Sequence, residues 1–174
     1  MPTGSQDAQK YGMLVYDVPT TNKTLYVRLW KAIRKRAIRI NLSVYLVHWG
    51  AREALQTIID EAIEETGQTA LVRFQRFHPD ETGEIENWAV DCLNRDIRDI
   101  VTRLEKRIKK AEEESEGIAP RFYRKLKSDL ENFETLAVMF GFEGNIEGVM
   151  GTVRRTIEHI WRRREEEQAE AEGV

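Results

Sequence analysis

The sequence predicts an α+β fold: a small antiparallel sheet with two helices on one face, followed by a three-helix extension. Three observations predict it. Between residues 11 and 77, short apolar or alternating runs give way twice to helical spacing. From residue 85 onward the apolar residues recur only at three- and four-residue intervals. The chain, at 174 residues and 41% hydrophobic, is long enough to bury one good core in a compact domain with a helical extension.

The first strand is "YGMLVYD", residues 11 to 17, where Met13, Leu14, Val15 and Tyr16 form an apolar run with Pro19 just past its end. It reads as a buried central strand. From Thr24 to Ala37, Tyr26, Leu29, Trp30, Ile33 and Ala37 fall within about 100° on a helical wheel, while Arg28, Lys31 and Lys35 share another face. This predicts an amphipathic helix over residues 24–37 with a basic exposed surface. "AIRINLSVYLVHW", residues 37 to 49, is too rich in β-branched and aromatic residues for a good helix and alternates in polarity. It predicts two short strands with an irregularity near Asn41 to Ser43. After Gly50, Leu55, Ile58, Ile59 and Ile63 keep helical spacing, the outside is acidic, and Gly67 stops the helix. "TALVRFQRF", residues 69 to 77, alternates as a half-buried strand does.

Strand, helix, strand pair, helix, strand is the split β-α-β plan of ferredoxin-like folds. Both helices then lie on one face of the sheet, and the other face needs a cover, either another domain or a second copy of the sheet. Three stripes follow: Trp88, Cys92, Leu93, Ile97, Ile100, Leu104 and Ile108; then Phe122, Leu126, Leu130, Phe133 and Ala137 after Pro120; then Ile146, Met150, Val153, Ile157 and Trp161 beyond the "FGFEGN" break. The predicted organisation is a flexible tail at 1–10, a ferredoxin-like domain at 11–79, a helical extension at 80–165 and a flexible, charged tail at 166–174.

One cysteine, Cys92, excludes an intramolecular disulfide framework and fits a reducing cytoplasm. No stretch approaches the roughly 18 consecutive apolar residues of a membrane span, and "MPTGSQDAQK" lacks the basic and apolar blocks of an export signal. A net charge of −3 argues against indiscriminate coating of nucleic acid, but the charge is uneven. Residues 22 to 50 carry Lys23, Arg28, Lys31, Arg34, Lys35, Arg36 and Arg39 and no acid, a charge of +7, whereas residues 51 to 174 carry −9.

"MLVYDVP" at the first strand, the basic helix, and "SVYLV" at residues 43 to 47 resemble the small CRISPR-associated adaptation proteins, whose first strand ends in Tyr-Asp-Ile/Val-Pro and whose later segment carries Ser-Val-Phe. This likeness covers residues 11 to 77. The same strand followed by "VYL" is similar to the N-terminal part of the chromate-resistance regulator ChrB, and residues 85 to 165, with "VMFGF" at 138 to 142, resemble its helical portion. The C-terminal domain of the phenylacetate-degradation repressor shares the plan. These resemblances imply a ferredoxin-like fold, a dimer through the sheet and a role near nucleic acid. In the adaptation family the aspartate matching Asp17 lies close to its symmetry mate and in some members supports metal-dependent nuclease activity. In ChrB-like proteins that position is commonly not acidic. Full ChrB-like regulators carry a further C-terminal domain for their chromate-linked function, so chromate sensing is not expected of this chain.

Asp17 is the candidate metal and catalytic residue. Two such carboxylates across a dimer axis would bind Mg²⁺ as hard oxygen donors and polarise a phosphodiester. Alternatively, an Asp at a strand end caps the following turn. Lys23, Arg28, Lys31, Arg34, Lys35, Arg36 and Arg39 are the candidate phosphate contacts, each of which would steepen salt dependence. They would otherwise solvate the helix or pair with acids such as Glu61 and Glu64. Tyr16, Tyr45, Phe74 and Phe77 serve either as stacking platforms for bases or as core. His48, His78 and His159 have no zinc spacing, and His78 beside Asp80 and Glu81 reads as a solvated turn. Gly144, Gly148 and Gly151 lack the arrangement of a phosphate-cradling loop and read as places where another backbone approaches.

The leading expectation is a non-catalytic, cytoplasmic homodimer that acts as a DNA- or RNA-associated or regulatory binding module, requires no cofactor and contacts phosphates through the basic helix. The first alternative is a Mg²⁺-dependent nuclease using paired Asp17 carboxylates. The second is an assembly protein that recruits a protein partner through its helical extension. No membrane association is expected.

Overall fold

The computed structural model describes residues 10–19, 21–77, 81–114 and 119–171. Within them the chain is α+β, with a four-stranded antiparallel sheet and five α-helices. In order these are β1 (Tyr11–Asp17), α1 (Lys23–Ile33), β2 (Ala37–Asn41), β3 (Val44–His48), α2 (Arg52–Thr66), β4 (Leu71–Arg76), α3 (Thr82–Glu114), α4 (Pro120–Phe140) and α5 (Glu143–Ala171). A 3-10 turn at Trp49–Ala51 joins β3 to α2. The chain forms two compact units. The first holds the residues up to Cys92 together with Val138–Gly141, and the second holds Leu93–Ala137 and the residues from Phe142 on.

In the first unit the strands lie in the order β2-β3-β1-β4, so α1 and α2 each connect two strands separated by a third. β1 is central: Leu14 stands opposite Tyr45 of β3 on one side and Phe74 of β4 on the other. Because side chains alternate along a strand, Leu14 and Tyr16 share a face with Tyr45 and Val47. That face packs against Leu25, Leu29 and Ile33 of α1 and Leu55, Ile59 and Ala62 of α2. Each such leucine or isoleucine contributes about 1.5–3 kcal/mol on burial. Gly67 terminates α2 as the spacing predicts, at φ 61°, a left-handed conformation that a side chain would strain. Gly12 allows a close approach: a Cβ there would lie 2.5 Å from Trp49 Cε3 and 2.9 Å from the Gln75 carbonyl oxygen.

The helix expected over residues 24–37 is shorter. α1 ends at Ile33, residues 34–36 turn with Arg36 N–H donating to the Ile33 carbonyl at 2.9 Å, and Ala37 already belongs to β2. Ala37 and Ile38 pair with Val47 and Leu46, and this pairing with β3 overrides the helical period. The inward stripe is accordingly Leu25, Leu29 and Ile33, and Tyr26 is 42% exposed. The expected irregularity in the strand pair exists as a register shift between Arg39 and Asn41, followed by a turn at Leu42 and Ser43.

On the opposite face of the sheet, Tyr11, Ile38 and Leu46 are also buried. Phe140 lies flat on Tyr11, with ring centroids 5.9 Å apart and planes 9° from parallel. The Tyr11 hydroxyl donates to Glu86 Oε1 at 2.9 Å and lies 3.4 Å from the Phe140 carbonyl oxygen. Burial, and then the hydrogen bond and charge of Glu86, push the Tyr11 phenol pKa up. Residues far along the chain thus cover this part of the sheet.

The second unit is helical. The α5 stripe falls as its spacing predicts, with Ile146, Met150, Val153 and Ile157 buried. Asp129 of α4 is only 8% exposed and meets Arg103 of α3 at 3.4 Å. α5 continues to Ala171, past the residue 165 where the charge run was expected to end it. Gly144 and Gly148 are not points of close backbone approach: an added Cβ would meet nothing within 4 Å, because both lie on the exposed side of α5. At Gly151 only the Arg155 guanidinium lies within that range.

Candidate nucleic-acid interface

The candidate surface is the outward side of α1 and the turn after it. Leu25, Leu29 and Ile33 commit one side of this short helix to the core, which leaves Lys23, Val27, Arg28 and Lys31 facing out. The helix start departs from what stability alone favours. Its positive dipole end prefers acids, yet the first turn has none and opens on Lys23. Asn22 makes no side-chain cap; instead Leu25 N–H donates to Gln68 Oε1 at 3.2 Å, an amide brought in from the loop before β4. Lys23 and Lys31 are about 12 Å apart along the helix axis.

The seven expected basic residues divide. Lys23, Lys31 and Lys35 are exposed and form no ion pair with a described carboxylate. Arg28 forms an ion pair with Glu65 of α2 rather than with Glu61 or Glu64. Both partners are largely exposed, so the pair contributes about 0–1 kcal/mol and is open to exchange for another anion. Arg34 lies over the Trp30 ring at 4.5 Å, and Arg36 donates to the Ala32 carbonyl at 3.3 Å. Arg39 is exposed in β2, on the sheet face that carries α1.

Asp17 stands apart from this set. It is the last residue of β1, exposed, opposite Leu71, and its place in the alternation puts it on the face away from α1. Beyond it, Asn22 N–H donates to the Pro19 carbonyl at 2.8 Å. Among the described residues no three His, Cys, Asp or Glu side chains come together as a metal site.

The aromatic candidates are mostly core. Tyr16 and Tyr45 are buried with ring centroids 5.8 Å apart, and burial, followed by the neighbouring Tyr45 and Tyr26 phenols, pushes the Tyr16 pKa up. Phe74 and Phe77 are half-buried. His48 lies edge-on to both Tyr11 and Phe140, and its Nδ1 accepts from Gly50 N–H at 3.3 Å. Burial, then the Lys10 charge, lowers its pKa. His159 is exposed on α5. His78 and Asp80 lie outside the described residues.

Sequence reasoning missed two aromatic–guanidinium stacks. One is Trp30 with Arg34 beside the lysines. The other is Trp49, with the Arg76 guanidinium 4.5 Å from its ring centroid and Arg52 at 5.3 Å. The four-residue spacing of Trp30 and Arg34 was a usable signal for the first. In the second, Arg52 is three residues from Trp49, whereas Arg76 comes from β4 and no local spacing announced it. No described helix is long and apolar enough to cross a membrane.

The chain matches no family model, no curated protein and no solved structure.

Proposed function

We propose that this chain is a ferredoxin-like binding module that associates with nucleic acid by gripping the phosphate backbone along α1 and the turn after it. The observation that carries the proposal is the exposed trio Lys23, Lys31 and Lys35, unpaired with any described carboxylate, within a stretch from 22 to 50 that contains no acid. Long unpaired cations in a chain with net charge −3 are well suited to a polyanion, and the acidic remainder restricts the footprint to this side. The Arg34 guanidinium, lying over Trp30 beside the lysines, is a planar cation of the kind on which an unstacked base stacks. The ferredoxin-like assignment rests on the strand order and on the two crossovers through α1 and α2. The likeness of "MLVYDVP" to the adaptation proteins points the same way.

The reading includes a homodimer through the sheet. Phe140 already occupies the Tyr11 part of that face, so a second chain would use the part carrying half-buried Met13, Val15 and Val44 and Leu71, which is 56% exposed. Light scattering checks this separately: a mass of two chains supports the dimer, and a mass of one removes it while leaving the helix surface as a monomer's.

The test of the function is fluorescence anisotropy with labelled single- and double-stranded DNA and RNA at low salt. The proposal expects binding to at least one of them, weakened at least about tenfold by Lys31→Glu with Lys35→Glu. Failure to bind any of the probes at low salt removes it.

A further inference from the structure

We propose that the groove between α4 and α5 is a second binding site, taking a small anion with a flat apolar body, such as an aromatic carboxylate or sulfonate. The groove encloses about 550 Å³, the size of a site for a small organic molecule. Its walls are Tyr123 and Leu130 of α4 and Ile157 and Trp161 of α5. Tyr123 and Trp161 meet edge to face, with centroids 4.7 Å apart at 77°, and so form a right-angled corner. A flat ring placed there stacks on one aromatic face and meets the edge of the other, the two arrangements aromatic pairs prefer. The indole is fixed in place, because Trp161 Nε1–H donates to Glu165 Oε1 at 2.6 Å.

The charges along the groove give the ligand its polarity. Arg124 and Lys127, one turn apart on α4, and Arg162 on α5 line the Tyr123–Trp161 end and form no ion pair with a described carboxylate. Glu165 at the same end is engaged by the indole. At the other end Arg154 is paired with Glu134, and Glu131 adds a negative charge. Glu158 lies between the two ends and is exposed. One end is thus apolar and cationic, whereas the other carries one more acid than base, which orients a ligand with its anionic group toward Arg124, Lys127 and Arg162. A carboxylate or sulfonate there gains charge-assisted hydrogen bonds, and Arg124 and Arg162 can each offer a planar two-donor fork.

The site is tested on the full chain by titration with 8-anilinonaphthalene-1-sulfonate and with its uncharged analogue N-phenyl-1-naphthylamine. The proposal expects saturable binding of both, with the sulfonate tighter. Arg124→Gln with Arg162→Gln should weaken the sulfonate about tenfold and the neutral compound less than about twofold. Glu158→Trp, a change at an exposed position that fills the groove, should remove both while circular dichroism stays unchanged. Absence of saturable sulfonate binding overturns the proposal. So does binding insensitive to Glu158→Trp, and so does equal loss of both compounds in the double arginine variant.

Discussion

Phe140, the last residue of α4, stacks on Tyr11, the first residue of β1, across a separation of 129 positions in the chain. The contact closes part of the sheet face opposite α1 and α2. Phe140 is fully buried, so Phe140→Ala should cost about 3–5 kcal/mol in a urea unfolding measurement. Tyr11→Phe, which keeps the stack and removes only the hydroxyl bonded to Glu86, should cost about 1.5–3 kcal/mol. A Phe140→Ala loss under about 1 kcal/mol would show that the stack is not a structural part of the unit.

His48 gives the same region a pH dependence. Its pKa is lowered below the ordinary 6.5, so the unfolded chain binds the proton more tightly than the folded one. The neutral ring's contribution is complete above about pH 6.5, declines as pH falls through the unfolded value, and is fully lost below the folded one. Urea midpoints measured between pH 7.5 and 5.5 should therefore fall with acidification, and His48→Gln should flatten that slope. After burial, the Lys10 charge is the second cause of the lowering, so Lys10→Met should bring the His48 pKa closer to its ordinary value by NMR titration.

Gly12 is where the sheet tolerates no side chain on the α1 face. Gly12→Ala drives a methyl group into the Trp49 ring and should cost about 1–3 kcal/mol. Trp49→Leu in the same chain should recover part of that loss, since the obstructing atoms belong to the indole. A fully additive double variant would place the strain at the Gln75 carbonyl instead.

Gly148 predicts the opposite sign. A methyl group there meets open space in the middle of a long helix, so Gly148→Ala should add about 1 kcal/mol of stability. In a chain of this length that raises the melting temperature by about 2–4 °C, readable by calorimetry.

Local pattern carried much of this fold. The β1 apolar run, the hairpin with its irregularity, the Gly67 stop and the α5 stripe were all legible because each is set by side chains near in sequence. The end of α1 was not. Ile33 and Ala37 keep a helical period, and the pairing of Ala37 with Val47 that breaks it is long-range. The glycines of α5 fall on one side of the helix, and sequence spacing cannot say whether that side meets protein or water. The basic cluster was visible as composition, but the assignment of Glu65 to Arg28 depends on how α2 is rotated. Asp17 and the lysines are near in sequence, yet strand alternation sends Asp17 to the other face, so the candidate residues form two places rather than one.

The phosphate contacts proposed for α1 are tested most directly by salt dependence. Binding of a labelled single strand measured from 50 to 250 mM NaCl should give a plot of log K against log salt with a slope of about −2 to −3, one unpaired lysine per neutralised phosphate. Changing Lys31 and Lys35 to Ala should reduce that slope by about one to two, while Arg28→Ala, which removes a cation already paired with Glu65, should change it by less than about one. A slope near zero, or one that the lysine variants leave unaltered, would contradict the proposed contacts.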